Sequence, residues 1–333
     1  MFTRSPLALV VPAVSAALGM VGSATSHPAP GVTAVTDHVI ATASSATLRY
    51  WTVERMRRAV VPPHRPRPYA MTERAEGTAS GAGDAPGTPV TVPGSVPERQ
   101  SSRRAVETPG APWTSRGAVR ATTGKVFFTI NGGDYVCSAG TVASANRDLV
   151  VTAGHCARDA AGHWAENWIY VPGYDEGHRP YGAFTARHLF VPGPWTAHAD
   201  QNYDVALVAL ATSAGRHVTD VVGAQGIAFD QPRGALVYGF GYPAGGRYDG
   251  ERLTYCSGRT YPDSHKITKD EGLRCDMTEG SSGGPWLTRF DAGTGTGVVT
   301  SVSSFKYADD PATMYGPYFG NTVRRMYDRA QRT

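Results

Sequence analysis

The segment CDMTEGSSGGPWL, residues 275–287, decides how the rest of this sequence is interpreted. Within it, a serine, two glycines and a proline interrupt an apolar run at residues 282–285. Glycine lets the backbone adopt positive φ and approach a ligand closely. A turn of this kind can present Ser282 while the backbone amides of Gly280 and Ser282 point at one spot, where an oxyanion could be stabilised. The alternative is a glycine-rich hairpin turn, and this segment alone does not decide between the two.

Two other motifs favour the catalytic interpretation. An apolar run ends in a small-residue turn and His155, within LVVTAGHC at residues 149–156. Asp204 opens a second apolar run, within NYDVALV at residues 202–208. A serine hydroxyl becomes a good nucleophile when an imidazole takes its proton, and a buried carboxylate can orient that imidazole. The chain order His155, Asp204, Ser282 is the chymotrypsin order, and it differs from the subtilisin and α/β-hydrolase orders.

With these motifs, residues from about 120 to 330 resemble the trypsin/chymotrypsin-type serine endopeptidases. Within that superfamily they are most similar to secreted bacterial peptidases of the glutamyl-endopeptidase-like branch. The additional residues that carry this likeness are VPGY at 171–174, PYG at 180–182 and GYP at 241–243. The resemblance implies a Ser282 nucleophile, a His155 general base oriented by Asp204, and an oxyanion hole formed by Gly280 and Ser282.

Short apolar runs separated by turn signals predict an all-β fold from residue 125 onward. The expected architecture is two consecutive six-stranded-type antiparallel β-barrels, with the active site in the cleft between them. The peptidase domain is expected at residues 119–333, with the first barrel at about 119–220 and the second at about 221–318. A short C-terminal helix is predicted at about 321–330.

The N-terminal third has a different composition. Residues 1–24 have the pattern of a signal peptide: a positive start, an apolar stretch and small residues before the cleavage position. Residues 25–118 are rich in Pro, Gly and Arg, and we expect a largely disordered propeptide and linker there, with helical character at 47–59. Arg103, Arg104, Arg116 and Arg120 are candidate processing sites. The sequence therefore predicts a zymogen that is secreted to the extracellular space.

Composition limits the remaining choices. The net charge of +4 over 333 residues is too small to argue for nucleic acid as a partner. Four cysteines without a CxxC pair argue against a zinc or redox site, and in an exported chain they predict disulfides. Three pairings are open, and the resemblance favours Cys137–Cys156, which leaves Cys256–Cys275. No cofactor or metal is predicted. The expected partners are polypeptide substrates and the chain's own propeptide, with no membrane after signal removal, and the expected state is a monomer.

The sequence departs from the trypsin pattern at Ser281. Trypsin-like enzymes carry an aspartate at this position, which pairs with the new N-terminal ammonium after activation cleavage. No Ile-Val-Gly-Gly start is visible near residue 120 either. We therefore expect activation by removal of an inhibitory propeptide.

Substrate preference stays open between several alternatives. By resemblance, Asp276 stands where trypsin-like enzymes bind Arg or Lys of the substrate, with Thr278 beside it; Asp276 could equally cap a turn. Glutamyl-specific relatives use a histidine on the strand after the nucleophile, whereas that strand, taken here as residues 298–305, offers only hydroxyls such as Ser301 and Ser303. A catalytically silent binding module with a peptidase-like fold is the alternative from another class.

Overall fold

Short strands joined by turns build most of the described chain. In the computed structural model, the described residues are 1–2, 35–62, 84, 87–95 and 107–333. The strands are β1 (Val35–Val39), β2 (Val90–Val92), β3 (Thr108–Pro112), β4 (Thr123–Ile130), β5 (Gly133–Thr141), β6 (Leu149–Thr152), β7 (Glu166–Pro172), β8 (Phe184–Pro192), β9 (Ala206–Leu210), β10 (Gly226–Phe229), β11 (Leu236–Gly241), β12 (Thr254–Arg259), β13 (Tyr261–Pro262), β14 (Glu271–Arg274), β15 (Pro285–Asp291), β16 (Thr296–Val302), β17 (Phe305–Tyr307) and β18 (Asp310–Gly316). The helices are α1 (Ser44–Tyr50), α2 (Val53–Arg58), α3 (Ala118–Thr122), α4 (Gly193–His198), α5 (Val218–Val222) and α6 (Asn321–Ala330), with 3₁₀ turns at Gly154–Cys156 and Gln201–Tyr203.

The first half of the peptidase domain is a closed barrel. Its sheet has the order β1-β8-β7-β4-β5-β6-β9, and an additional pairing of β8 with β9 closes the six strands from β8 to β9 into a ring. The β4–β5 hairpin shows how local sequence begins this barrel. Asn131 and Gly132 at its turn both have positive φ, which suits the twist of a two-residue hairpin. Every residue of β4, β6 and β9 is buried, and most of these residues are apolar.

The second half is organised differently. A seven-stranded sheet has the order β2-β10-β16-β15-β11-β12-β3, and a four-stranded sheet has the order β13-β14-β18-β17. All of these pairs are antiparallel except β10 with β16. The predicted fold class is therefore confirmed: the molecule is mostly β, with a closed six-stranded antiparallel barrel, further sheets and a short C-terminal helix at Asn321–Ala330.

The described parts of residues 25–118 differ from the disorder expected of them. β1 pairs with β8 over five residues, β2 pairs with β10, and β3 pairs with β12, so these strands extend the sheets of the peptidase domain. The reason is a small number of apolar anchors within a Pro- and Gly-rich sequence. Trp51 and Met56 are buried, and so is Trp113, which contacts the rings of Phe240, Tyr255 and Phe290.

Both helical segments predicted from the sequence contain helices, and the first of them is interrupted. The helical segment expected at 47–59 is divided into α1 and α2, with Trp51 and Thr52 between them and Thr52 accepting a hydrogen bond from the Arg55 amide. The C-terminal helix begins at the expected residue, and the Asp84 carboxylate accepts hydrogen bonds from the amide and the hydroxyl of Thr322 in its first turn.

The predicted signal peptide, apart from residues 1–2, lies outside the described residues. Among the described residues, no helix has the length and apolar character needed to cross a membrane.

Candidate active site

His155 and Asp204 form a buried hydrogen-bonded pair. His155 lies in the 3₁₀ turn that follows β6, and Asp204 lies in the loop that leads into β9; β6 and β9 are paired neighbours. Asp204 Oδ2 is 2.8 Å from His155 Nδ1, and Asp204 Oδ1 accepts from the His155 backbone amide at 2.8 Å. The carboxylate is fully buried and His155 is 4% exposed. The same carboxylate therefore fixes both the backbone and the ring of the histidine, which leaves Nε2 as the nitrogen that can act as a base.

Gly154 makes this close approach possible. A Cβ at this position would lie 2.9 Å from Asp204 Oδ1 and 3.1 Å from the Trp195 ring. A larger residue before His155 would displace the carboxylate or the indole. The small-residue turn in the sequence motif thus has a steric cause.

Ser304 is a part of the site that sequence reasoning did not assign. Its hydroxyl donates to Asp204 Oδ2. Asp204 therefore accepts three hydrogen bonds, two from His155 and one from Ser304 in the second half of the chain. A buried carboxylate needs such partners because an isolated buried charge is costly. In the sequence, Ser303 and Ser304 stand together at the end of an apolar run. Only Ser303 was predicted to be a site residue, as a substrate-binding hydroxyl.

The segment that carries Ser282 is held against the His155 turn by backbone contacts. The Ser138 amide donates to the Ser282 carbonyl at 2.8 Å. Gly283 has a φ of +79°, and a Cβ there would lie 2.1 Å from Thr152 Oγ1 and 2.6 Å from the Ala153 amide nitrogen, two residues before His155. The backbone that follows Ser282 therefore lies against the residues that lead into the His155 turn, where the two halves of the peptidase domain meet.

The loop before Ser282 requires a glycine at residue 280. Gly280 has a φ of +91°, and a Cβ there would lie 2.7 Å from the Tyr242 carbonyl oxygen. The Gly280 carbonyl accepts from the Ser138 hydroxyl at 2.8 Å, which fixes the orientation of the Gly280–Ser281 peptide. Ser281 is fully buried and donates its hydroxyl to the Thr278 carbonyl at 2.6 Å. The Ser281 hydroxyl thus has a partner within its own loop. It does not need the new N-terminal ammonium with which the aspartate of trypsin pairs at this position.

Two disulfides support the site, in the pairing that the resemblance implied. Cys137–Cys156 joins β5 to the residue after His155, and Cys256–Cys275 joins β12 to the residue before Asp276. Among the described residues, Cys137, His155 and Cys156 lie close enough together to resemble a metal site. The two sulfurs are bonded to each other, however, and a cysteine binds a metal as the thiolate. The grouping is explained by a disulfide next to the histidine.

Asp276 has partners inside the chain. Its carboxylate accepts from Arg247 Nη2 at 2.7 Å and from the Tyr248 hydroxyl at 2.6 Å. The Asp276 amide donates to the carbonyl of Pro109 in β3, and a Cβ on Gly110 would lie 1.9 Å from Asp276 Oδ1. A substrate guanidinium would have to displace Arg247 to reach this carboxylate. The structure therefore favours the structural alternative over a free acidic pocket base.

The other three predicted substrate-binding hydroxyls also have internal partners. Thr278 Oγ1 donates to the Gly245 carbonyl at 3.0 Å and accepts from the Gly245 amide at 2.9 Å. Ser301 donates to the Pro317 carbonyl at 2.9 Å, and Ser303 accepts from Trp286 Nε1 at 3.0 Å. Ser301 and Ser303 are both buried. These hydroxyls hold the strands together in the structure.

Asp270 is a buried carboxyl near the site. It is 1% exposed, and neither carboxylate oxygen has a hydrogen-bond partner among the described residues. Burial, and after it the nearby carboxylates of Asp204 and Asp200, raise the pKa of Asp270 well above its usual range. The group therefore favours its protonated form, which avoids a further buried negative charge near Asp204.

This geometry agrees with the comparisons with known proteins. The family described as trypsin-like peptidase domain matches residues 137–298, a span that contains His155, Asp204 and Ser282. Among solved structures, the protease Anisep from Arthrobacter nicotinovorans is 40% identical, with a TM-score of 0.62 over 64% of this chain and 96% of its own. A thermostable serine protease, AL20, from an extremophilic microorganism is 39% identical, with a TM-score of 0.61 over 65% of this chain and 99% of its own. The chain belongs to the trypsin-like peptidases, and it is a chymotrypsin-type serine endopeptidase.

Two further similarities are either more distant or cover only a short part of the chain. A Glu endopeptidase is 18% identical with a TM-score of 0.54 over 67% of this chain and 97% of its own, which shows a shared fold. A curated protein of Bacillus subtilis (strain 168), named extracellular metalloprotease, is 34% identical over 73 residues, which are 22% of this chain and 23% of that protein. The match thus spans less than a quarter of the curated relative.

Proposed function

We propose that the protein is a secreted serine endopeptidase that cleaves peptide bonds through Ser282, His155 and Asp204. The observation that carries this proposal is the buried pair of His155 and Asp204, with both carboxylate oxygens engaged by the same histidine and Ser304 as an additional donor. Ser282 is the nucleophile that attacks the scissile carbonyl, forming an acyl-enzyme and expelling the amine. His155 takes the serine proton and then gives it to the leaving amine. Water then hydrolyses the acyl-enzyme by the reverse sequence of proton transfers.

The amides of Gly280 and Ser282 are the proposed oxyanion hole. Positive φ at Gly280 supports this role. The two peptides that carry these amides are held through their carbonyls, since Glu279 accepts from the Ala244 amide at 2.7 Å and Ser281 accepts from the Gly284 amide at 2.9 Å. Preorganised donors of this kind stabilise the charge that develops on the carbonyl oxygen during attack.

Cleavage-site mapping on a mixed peptide library tests the proposal. The secreted wild-type protein should cut peptides at internal bonds, and Ser282→Ala should cut none of them. A Ser281→Ala variant is the matched control and should keep the same cut sites, since the Ser281 hydroxyl donates to the Thr278 carbonyl and has no other hydrogen-bond partner among the described residues. Equal cutting by wild type and Ser282→Ala would contradict the assignment of the nucleophile. A correctly processed chain that cuts nothing would favour the binding-module alternative.

We also propose that the protein is made as an exported precursor whose propeptide ends before Glu107. The two disulfides suit an oxidising compartment. The solved relatives are covered almost completely by about two thirds of this chain, which leaves about a third for additional segments. The propeptide was expected to extend to residue 118, but β3 and Trp113 argue for retaining residues 107–118. β3 is paired with β12, Trp113 fills an aromatic cage, and Pro109 binds the Asp276 amide.

N-terminal sequencing of the secreted protein tests this maturation site. The basic pair Arg103 and Arg104 supplies a cleavage site at the required position in the sequence. The mature chain should begin at or before Glu107 and well after residue 25. A start after Trp113 would contradict retention of β3, and a start at residue 25 would contradict the propeptide.

A further inference from the structure

Ser138 lies where several segments of the proposed active site meet. It is fully buried on β5, and the cysteine before it is bonded to the cysteine that follows His155. The Ser138 amide donates to the Ser282 carbonyl at 2.8 Å, and the Ser138 carbonyl accepts from the Thr152 hydroxyl at 2.8 Å. The backbone of this one residue therefore joins the strand that leads to His155 to the segment of the proposed nucleophile.

The Ser138 hydroxyl connects two further segments. It accepts a hydrogen bond from the Tyr242 amide at 2.9 Å and donates to the Gly280 carbonyl at 2.8 Å. A hydroxyl has a single hydrogen to donate. Because the Tyr242 amide can only donate, that hydrogen is directed at the Gly280 carbonyl. Both hydrogen bonds are buried, so bulk water does not compete for these groups.

The peptide that Ser138 holds lies between the two peptides that carry the proposed oxyanion amides. The Gly280 amide belongs to the preceding peptide, and the Ser282 amide belongs to the following one. Consecutive peptide planes share a Cα atom, so rotation of the middle peptide changes the backbone angles at both of its ends and turns both amides. Gly280, with a φ of +91°, resists such a rotation little because glycine has no side chain. The Ser138 hydroxyl therefore restrains both oxyanion donors.

The segment that begins at Tyr242 holds the same loop from a second side. The Ala244 amide donates to the Glu279 carbonyl at 2.7 Å, which fixes the peptide of the first oxyanion amide. Tyr242 is buried, and its hydroxyl donates to the Tyr174 carbonyl at 2.9 Å in the first half of the peptidase domain. The amide that donates to Ser138 is therefore itself held in place.

We propose that Ser138 is a positioning residue for the oxyanion site, its hydroxyl keeping the amides of Gly280 and Ser282 directed at the substrate carbonyl. The inference rests on the proposed peptidase function and adds to it a residue that does not touch the substrate. The Ser281 hydroxyl already has its partner within the loop. The oxyanion site therefore forms without a contribution from the N-terminal ammonium of the mature chain.

Kinetics of Ser138→Ala provide the first test. The variant leaves the Tyr242 amide and the Gly280 carbonyl buried without this partner, so the loop is less restrained. The kcat should fall by about 10- to 100-fold, less than the loss of about 10²- to 10³-fold for an oxyanion donor itself. KM should change little, because the amides act on charge that develops in the transition state.

Thr141→Val is the matched control. Thr141 is also fully buried on β5, and its hydroxyl is 3.2 Å from the Tyr170 hydroxyl. Among the described residues, it has no hydrogen bond to residues 278–284. This variant also loses one buried hydroxyl from the same strand, and it should keep the wild-type kcat.

Two inhibitors separate positioning from a general loss of structure. A peptide aldehyde, with the sequence of the best substrate from cleavage-site mapping, adds the Ser282 hydroxyl and places the resulting oxygen in the oxyanion site. The corresponding peptide alcohol binds without forming this adduct. Ser138→Ala should raise the Ki of the aldehyde by the same factor by which kcat/KM falls, and leave the Ki of the alcohol unchanged. Equal weakening of both inhibitors would contradict a positioning role.

The mature N-terminus provides a test that does not depend on the folding of Ser138→Ala. One alanine is inserted directly after the processing site that N-terminal sequencing identifies. The lengthened mature chain should keep the wild-type kcat, because no ammonium has to reach the oxyanion loop. A fall in kcat as large as that expected for Ser138→Ala would overturn the inference.

Active-site labelling distinguishes failure of this inference from failure of the proposed function. Labelling with a fluorophosphonate to completion counts the competent sites, so each kcat is expressed per labelled Ser282. An unchanged kcat in Ser138→Ala, or an equal fall in Thr141→Val, would remove Ser138 from this role and leave the triad intact. Absence of both labelling and cleavage in the mature wild-type protein would overturn the triad, and with it the role of Ser138.

Discussion

Two regions of this molecule are built by different kinds of contact: the proposed triad, and the surroundings of Asp276, which the resemblance placed in the substrate pocket and which are called the pocket here. At the triad, Asp204 is fully buried and binds the backbone and ring of one histidine in the neighbouring turn. At the pocket, Asp276 is about two-fifths exposed and binds Arg247 and Tyr248, while Lys306 approaches from β17. The triad is fixed by short turns that the sequence specifies locally. The pocket is fixed by side chains from several distant segments.

The largest effect on activity is expected from a substitution of Asp204, in the proposed triad. Asp204→Asn should lower kcat/KM by about 10⁴-fold, because an amide cannot hold the histidine in the required tautomer. Kinetics on a peptide that wild type cleaves would measure the loss.

Asp200→Asn is the matched control for that variant. Asp200 accepts hydrogen bonds from the amide and side chain of Asn202 at the start of the same loop, and it does not contact His155. Its variant should retain most of the activity. Equal losses in the two variants would mean that Asp204 acts only by holding the loop.

A smaller effect is expected at Ser304, where the two regions meet. Ser304→Ala removes one donor to Asp204, so kcat/KM should fall by about 10- to 100-fold, as for a hydrogen bond to a charged group. The carboxylate then interacts more strongly with the protonated imidazole, so the acidic limb of the pH profile should move to higher pH. A pH series of kcat/KM would detect both changes.

Ser303→Ala provides the comparison for Ser304. Its hydroxyl accepts from Trp286 and does not contact the triad, so this variant should lose stability without a change in the pH profile. An unchanged profile in Ser304→Ala, together with full activity, would remove Ser304 from the positioning of Asp204.

The smallest expected effect concerns stability at Asp270. Because its pKa is raised in the folded protein, the stability associated with this group is present below pH 4 and is lost as the pH rises toward the folded pKa. Asp270→Asn should therefore weaken the fall in stability above pH 4, by about 1–3 kcal/mol at most. Chemical unfolding from pH 3 to pH 8, with Ser282→Ala in the background to prevent autolysis, would show the difference.

Asp263, seven residues earlier, offers a contrast of opposite sign. Burial alone would raise its pKa, but hydrogen bonds from Thr268 and Tyr307 lower it. Its contribution to stability is thus present above pH 4 and is lost as the pH falls. Asp263→Asn should remove stability at neutral pH, where Asp270→Asn adds it, and equal responses of the two variants would contradict the assigned environments.

The sequence predicted the parts of the structure that depend on local residue patterns. The β4–β5 hairpin, the strand before His155 and the helix at Asn321–Ala330 follow from apolar runs and turn residues close in the chain. The glycines at 154, 280 and 283 lie where a side chain would strike the neighbouring backbone or the carboxylate. Such positions can be recognised from sequence because the motif and the steric demand coincide.

The pocket could not be predicted in the same way. The partners of Asp276 are Arg247, Tyr248 and the backbone of β3, which was expected to be disordered. Lys306 acquires its environment from Cys275 and Pro311 on two other segments. No local pattern encodes such contacts, so the interpretation of Asp276 as a substrate-binding carboxylate had to rely on resemblance alone.

The most direct test of the central claim is covalent labelling of the mature protein with a fluorophosphonate, followed by mass spectrometry of the digested chain. The account predicts one adduct, on the peptide that contains Ser282. It also predicts a strongly reduced labelling rate in His155→Ala and an unchanged rate in Ser281→Ala. An adduct on another serine, or labelling of Ser282 at the same rate without His155, would contradict the triad.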